Sequence, residues 1–263
     1  MIIDYPTFKY VNKNNLDPIP KFIYKTASFK FTNIPQKMLE AFREILLHSP
    51  DYLIIYFDDN DCDDFIREYF PQYFNDYNQV VPGAFRSDIF RLLILYQYGG
   101  IYSDAGQIFL KNIDEILEKN NDLIIVGTNA LGIFNAFIAS KPNNEIISNM
   151  IVQVMYNVHY RVYNNDLLDI TGPLALSKAL NKFLERDELK IIELGNHIFK
   201  NNKVLIHILE IEDNDYANKG YIENTRGDKL IKAKFKEYHQ IMYNEKPHYK
   251  FYYDNKIVYK NII

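Results

Sequence analysis

The chain has 263 residues, of which 48% are hydrophobic and 24% are charged, and its formal net charge is −4. These totals indicate one substantial hydrophobic core, and the lack of a basic block in the first two thirds of the chain argues against nucleic acid as a partner. Cys62 is the single cysteine, which excludes a disulfide framework and a cysteine-based zinc site.

Signals for membrane insertion, export and domain division are lacking in the sequence. No stretch approaches the roughly 20 uninterrupted apolar residues of a membrane helix. The first residues, "MIIDYPTFKYVNKNN", do not have the basic-then-apolar order of a secretory signal. We therefore expect no integral membrane segment and a cytoplasmic location. No linker rich in Pro, Gly or Ser divides the sequence, so we also expect a single domain over 1–263.

Short apolar segments alternate with amphipathic ones along the chain. The predicted strands are 19–29, 51–61, 100–110, 122–129 and 132–141. The predicted helices are 35–50, 62–70, 88–98, 112–120, 143–163 and one within 169–185. This alternation predicts an α/β fold with a mostly parallel sheet.

The helix over 88–98 is the most informative element. Ser87 is its predicted N-cap, and Gly99 stands where a helix C-terminal glycine belongs. Asp88 and Arg91, at i and i+3, project from one face of the predicted first turn. A capping Asp and a solvated Arg would explain the pair. However, the apolar neighbours in "FRLLILY" indicate that Arg91 is paired or holds a ligand.

The predicted site lies beyond the carboxyl ends of the strands, where open α/β sheets bind their ligands. These ends are near Asp58, Asp104 and the 127–129 turn. Neither a GxxxxGK[ST] loop nor a GxGxxG helix start is present, which argues against a P-loop nucleotidase and a dinucleotide enzyme. Asp58 belongs to the acidic segment 58–64, which lacks the spacing of an EF-hand and is expected to be a solvated turn.

Two later segments allow a functional or a purely structural interpretation. The "TGP" sequence at 171–173 forms a rigid turn that either shapes an acceptor site or only begins a helix. The segment "KLIKAKFKEYH" (229–239) is basic and amphipathic. It predicts a surface helix with solvated lysines in preference to a membrane or acceptor contact.

The segment "AFRSDIFRLLILYQYGGIYSDAGQIFLKNID" (84–114) resembles the core of sugar transferases with the DXD motif, such as yeast-type initiating mannosyltransferases and glucosylating clostridial toxins. The positions of that pattern are occupied, without a gap, by Ser87, Asp88, Arg91, Tyr98, Gly99, Gly100, Tyr102, Asp104, Leu110, Lys111 and Asp114. Similar blocks extend the resemblance to about 19–180, and it is thin over the divergent part, 181–263.

The resemblance implies a GT-A fold, with a Rossmann-like sheet that binds a nucleotide-activated sugar, and transfer with retention of anomeric configuration. By this resemblance, Asp88 and Arg91 would contact the donor sugar and its phosphates. Asp104 would contact the ribose and a divalent metal. Stacking on the base would fall to Tyr24 or Phe29, since Ala27 stands where the family has an aromatic. The implied donor-binding residues are Tyr24, Asp88, Arg91, Gly100, Tyr102 and Asp104.

The chain departs from the family at Gly106, where the second Asp of the motif belongs. Residues i and i+2 of a strand share a face, so the two family carboxylates flank one cation. With one carboxylate lost, three possibilities stay open for Mn²⁺ or Mg²⁺. The diphosphate and Asp104 could recruit the ion, or a tail residue such as His239 or His248 could supply a ligand. Alternatively, the donor binds without metal and turns over poorly.

The function expected from the sequence is therefore a retaining glycosyltransferase that moves a hexose from a UDP- or GDP-sugar. The acceptor would be a hydroxyl of a glycan, a protein or a small molecule. The alternative is a catalytically impaired nucleotide-sugar-binding protein of the same fold, since Gly106 removes a motif carboxylate. A purely structural role would require Asp88, Arg91 and Asp104 to be together by coincidence.

Overall fold

A computed structural model describes residues 1–12, 18–129, 132–212, 215–244 and 247–260. The helices in these ranges are α1 (Tyr5–Phe8), α2 (Gln36–His48), α3 (Asp59–Tyr69), α4 (Pro71–Gln79), α5 (Gly83–Tyr98), α6 (Ile113–Leu117), α7 (Glu145–His159), α8 (Pro173–Phe183), α9 (Tyr216–Lys219), α10 (Tyr238–Tyr243) and α11 (Tyr249–Asp254). The strands are β1 (Ile2–Asp4), β2 (Phe22–Thr26), β3 (Leu53–Phe57), β4 (Gly100–Ser103), β5 (Ile108–Phe109), β6 (Leu123–Thr128), β7 (Phe137–Ser140), β8 (Gly195–Phe199), β9 (Asn202–Ile211), β10 (Gly220–Glu223) and β11 (Lys229–Lys232).

One sheet runs through the described part of the chain, in the order β1-β3-β2-β4-β7-β6-β9-β10-β11-β5, with β8 paired to β9. The four strands β1, β3, β2 and β4 are parallel, as are β6 and β9. Helices cover both faces, which confirms the predicted α/β class. The antiparallel pairs, such as β4 with β7, begin after residue 100, where the sequence pattern did not distinguish the two orientations.

Two hydrophobic cores lie on opposite faces of the sheet, because successive side chains of a strand alternate between its faces. Tyr24 and Tyr102 point into the core beneath α3, α5, α7 and α8. Ile23 and Ile101, one residue earlier in each strand, point into the core beneath α2 and α6. Strands buried on both faces have continuous apolar sequences, which is why β3 and β6 were predicted correctly.

Helix α5 begins at Gly83 and not after Ser87, so the predicted Ser87 cap is wrong. Pro82 is the N-cap residue, and the Arg86 amide donates to the Pro82 carbonyl at 3.1 Å, so the chain is helical one turn earlier than expected. The predicted end is confirmed. Gly99 is the C-cap with φ of 64°, a backbone conformation that favours glycine. A Cβ there would also lie 2.7 Å from two atoms of Pro142, so a side chain would clash.

The C-terminal part extends the same sheet. The helix predicted over 229–239 is wrong, because Lys229–Lys232 forms β11 between β10 and β5. In this strand Leu230 and Ile231 are buried, so the segment joins the core instead of lying on the surface. Among the described residues, no helix has the length and apolar character needed to cross a bilayer.

Candidate active site

A large cavity of about 1320 Å³ opens at the carboxyl ends of the parallel strands. Its lining includes Thr26 at the end of β2, Asp104 just after β4, and Thr128 at the end of β6. This is the edge at which open α/β sheets bind their ligands, and the predicted 127–129 turn reaches it. Asp58 has a different role, since its side chain accepts from the Asp61 amide and caps α3.

Asp88, Arg91 and Asp104 meet in this cavity, as the sequence predicted. The Arg91 Nη2 atom lies 3.1 Å from Asp88 Oδ1 and 3.5 Å from Asp104 Oδ1. The Asp104 side chain is 24% exposed, whereas that of Arg91 is 5% exposed. The carboxylate of Asp104 therefore faces the cavity, with the guanidinium beneath it.

Asp88 is held by two groups from distant parts of the chain in addition to Arg91 of its own helix. Its Oδ1 accepts from Asn135 Nδ2 at 2.9 Å, and its Oδ2 accepts from Thr171 Oγ1 at 2.8 Å. Burial raises the pKa of Asp88 to about 6, against the lowering effects of Arg91 and Thr171. The sequence did not single out Asn135, and it left 171–173 as either a turn that shapes an acceptor site or a helix start. Helix α8 does begin at Pro173, and Thr171 just before it supports Asp88.

Arg91 is a positioning residue, because its guanidinium is largely occupied by protein atoms. Its Nη1 donates to the Asn135 carbonyl at 2.6 Å and its Nε to the Ser87 carbonyl at 3.2 Å. Burial alone would lower the pKa of Arg91, but Tyr102 and the two carboxylates raise it, so the charge is retained. These bonds leave little of its donor capacity for the phosphate contact that the family resemblance implies.

Tyr102 is the aromatic member of the site. The guanidinium of Arg91 lies 4.4 Å from the centre of its ring, and its hydroxyl is 3.2 Å from Thr26 Oγ1. Tyr102 also lines the cavity, so it stays a candidate for donor contact.

The structure places two of the other predicted donor-binding residues away from the cavity. Tyr24 is fully buried against Phe8 and Phe57, two residues short of the strand end, so its ring cannot stack on a base without unpacking the core. Gly100 lies at the opposite end of β4, where a Cβ would be 2.8 Å from the Phe22 carbonyl oxygen. Gly100 therefore allows β4 to pack closely against β2. Phe29, the other residue expected to stack on the base, packs against the core and does not line the cavity.

The described residues do not form a site that could hold a divalent metal through protein side chains alone. Among the described residues, no group of three or more His, Cys, Asp or Glu side chains is arranged to hold an ion. His248, the predicted tail ligand, caps α11 by accepting from the Lys250 amide, and its ring packs 4.0 Å from the centre of Tyr249. His239 is 3.1 Å from Lys234 Nζ. Of the residues that were expected to hold the ion, Asp104 is the one that lines the cavity.

The C-terminal part supplies cavity residues that the sequence did not predict. They are Tyr216, Lys234, Tyr238, Met242, Tyr243, Pro247, Tyr249 and Tyr252. Lys234 is half-buried, and burial lowers its pKa while the Asp104 carboxylate acts to raise it. The abundance of tyrosine after residue 215 was the available signal, but nothing local indicated which rings would reach the site.

Lys25 supports the Asp104 turn from below. This lysine is completely buried, and its Nζ donates to Ser103 Oγ at 2.6 Å and to the Asp104 carbonyl at 3.1 Å. Burial lowers the pKa of Lys25 to about 7, with the Asp104 carboxylate opposing that shift. Lys25 therefore positions the backbone that presents Asp104.

Fold and site together define a GT-A glycosyltransferase architecture. Residues 35–123 match the model of the family described as the glycosyltransferase sugar-binding region containing DXD motif. Residues 35–123 thus resemble the sugar-binding region of the DXD-type glycosyltransferases, as the motif predicted.

Individual relatives agree with this assignment. The chain is 25% identical over 191 residues to mannosyl phosphorylinositol ceramide synthase CSH1 of Saccharomyces cerevisiae, covering 70% of this chain and 50% of the relative. It is 28% identical over 121 residues to the initiation-specific alpha-1,6-mannosyltransferase of Candida albicans, covering 44% and 31%. The solved PaToxG glycosyltransferase superposes with a TM-score of 0.50 at 25% identity, covering 64% of this chain and 70% of that one. The chain spans about half the length of the first of these relatives.

Proposed function

We propose that the protein is a retaining glycosyltransferase that moves a hexose from a UDP- or GDP-sugar to a hydroxyl of a glycan, a protein or a small molecule. The observation that carries this proposal is the convergence of Asp88, Arg91 and Asp104 at the carboxyl edge of a GT-A sheet. The family match over 35–123 supports the reaction class.

In this mechanism the two carboxylates orient the donor. Asp104, 24% exposed, accepts hydrogen bonds from hydroxyls of the ribose or the sugar, while Asp88 lies deeper and contacts the sugar. Because Arg91 bridges both carboxylates, it fixes their separation before the donor arrives. Preorganisation of this kind lowers the barrier because the dipoles need not reorient during the reaction.

For transfer with retention we propose attack on the face from which the leaving group departs. The bond between the anomeric carbon and the diphosphate oxygen breaks, and its electron pair leaves with the nucleoside diphosphate. The acceptor hydroxyl forms the new bond on the same face, and its proton passes to the departing phosphate oxygen. The protein's task is to hold donor and acceptor together and to stabilise the growing charge of the leaving group.

The size of the cavity suits two substrates at once. Ligand pockets commonly measure about 300–1,000 Å³, whereas this one is about 1320 Å³. Relatives named for mannosyl transfer and for phosphorylinositol ceramide make GDP-mannose, with an inositol-containing acceptor, the first pair to test.

The test is release of nucleoside diphosphate from GDP-mannose and UDP-glucose, with and without acceptor. We expect slow hydrolysis by the wild type and a loss of about 10²-fold or more in Asp104→Asn, typical of removing one group that orients the reacting centre. Asp64→Asn is the matched control, because Asp64 is paired with Arg67 on the surface and its side chain is 60% exposed. Donor binding with no release of diphosphate under any condition would favour the catalytically impaired alternative, and equal activity of Asp104→Asn and wild type would remove the proposed site.

A further inference from the structure

We propose that this cavity binds the donor diphosphate without a divalent metal, and that the ammonium group of Lys234 takes the place of the ion. The inference rests on the proposed function, because it concerns the same donor. It starts from the position of the lost motif carboxylate, Gly106.

The space for a side chain at residue 106 is already filled. A Cβ built on Gly106 would lie 2.5 Å from Cδ2, 2.7 Å from Cγ and 2.9 Å from Cε2 of Tyr238. These atoms belong to the body of a buried ring and not to a flexible end. The aromatic ring therefore occupies the direction that a second metal-binding carboxylate would take.

The same tail segment brings Lys234 to the cavity. The Phe235 amide donates to the Gly106 carbonyl at 2.9 Å, and the Ala233 amide donates to the Gly220 carbonyl at 2.8 Å. Lys234 is thus flanked on both sides by backbone hydrogen bonds, one of them to the Asp104 turn itself. The backbone holds Lys234 beside the site, because these hydrogen bonds fix its two neighbours, Ala233 and Phe235, and both neighbours are buried.

Lys234 differs from the other basic residues of the cavity wall in what it contacts. Arg86 is paired with Asp63, and Arg91 with Asp88 and Asp104. Within the described ranges Lys234 has no carboxylate at ion-pair distance. Its Nζ lies 3.1 Å from His239 Nε2 and 4.6 Å from the ring centre of Tyr216. Its charge is therefore available to an incoming anion.

The chemistry of the leaving group supports this assignment. A nucleoside diphosphate gains negative charge as the glycosidic bond breaks, and a fixed cation stabilises it. Lysine is a common phosphate ligand that acts as a point charge. The altered motif offers a magnesium ion one carboxylate, Asp104, instead of two, and the ammonium group of Lys234 would repel the ion.

Calorimetric titration of the whole protein with UDP and with GDP tests the inference, once in EDTA and once in MnCl₂. We expect at least one of them to bind in EDTA, with an affinity within about threefold of that in Mn²⁺. Lys234→Met should weaken this binding about tenfold or more, as expected for the loss of one charge-assisted hydrogen bond. Lys234→Arg should restore most of it, because the positive charge is kept.

Lys236→Met is the matched control, because Lys236 is exposed, lies two residues further on and does not line the cavity. Melting temperatures of all variants check that the fold is intact. Binding only in Mn²⁺, or equal binding by Lys234→Met and Lys236→Met, overturns the inference and leaves the proposed function standing. If neither nucleotide binds the wild type under either condition, both fail.

Discussion

Gly106→Ala is the substitution that probes the structural basis of the altered motif most directly. The change adds one methyl group, and the structure places it 2.5 Å from Tyr238 Cδ2, far inside van der Waals contact. Three ring atoms lie within 2.9 Å of it, so the ring or the Asp104 turn must shift. Overpacking of this kind costs about 1–3 kcal/mol in well-packed interiors.

The partner in this clash can be removed independently. Tyr238→Ala should itself cost about 3–5 kcal/mol, typical of truncating a buried aromatic side chain. In that background Gly106→Ala meets no ring, so its cost should fall close to zero. The double-mutant cycle should therefore show a coupling free energy of about 1–3 kcal/mol between residues 106 and 238.

Urea unfolding of the four proteins in this cycle, monitored by circular dichroism, gives their free energies of unfolding. Gly83→Ala is the matched control, because a Cβ at this first position of α5 has nothing within 4 Å. It should be neutral or stabilising by about 0.4–1 kcal/mol, since alanine reduces the entropy of the unfolded chain. If Gly106→Ala costs as little as Gly83→Ala, or costs the same with and without Tyr238, the ring does not fill the motif position and the reasoning is refuted.

Two further predictions concern pH. Because burial raises the pKa of Asp88 to about 6, the folded state binds this proton more tightly than the unfolded chain does, so the contribution of Asp88 to stability should fall as pH rises from about 4 to about 6. Over this range the urea midpoint of the wild type should fall relative to that of Asp88→Asn, which cannot titrate at this position, and a constant difference would contradict the raised pKa. Because burial lowers the pKa of Lys25 to about 7, the unfolded chain binds that proton more tightly, so this group should add stability as pH rises from about 7 to about 10. Lys25→Met should lack that rise, and a wild-type profile parallel to that of Lys25→Met would contradict it.

The sequence predicted the sheet and its main acids because these depend on local patterns. Continuous apolar segments such as Leu53–Phe57 are strands buried on both faces, and the spacing of Asp88 and Arg91 places them on one side of a helix. The carboxyl edge of a parallel sheet then brings Asp104 to the same place. These inferences need only periodicity and topology.

The remainder of the site could not be predicted, because it depends on contacts between distant parts of the chain. Asn135 and Thr171 reach Asp88 across 47 and 83 residues of sequence. The segment 229–239 has the charge pattern of a surface helix, and it becomes a strand only because β5 and β10 offer pairing partners on both sides. Strand preference of this kind is decided by tertiary context and not by local propensity.

The loss of the second motif acid and the gain of Lys234 leave the formal charge of the site unchanged. In the family pattern two carboxylates face one doubly charged cation, whereas here one carboxylate, Asp104, faces one ammonium group. A diphosphate entering either arrangement meets the same net charge, so long-range attraction of the donor is preserved. What differs is geometry, because an ion binds several phosphate oxygens at once while an ammonium group donates single hydrogen bonds. A weaker hold on the leaving group should therefore appear as slower bond cleavage more than as weaker donor binding, since the charge of the diphosphate is greater in the transition state than in the bound donor.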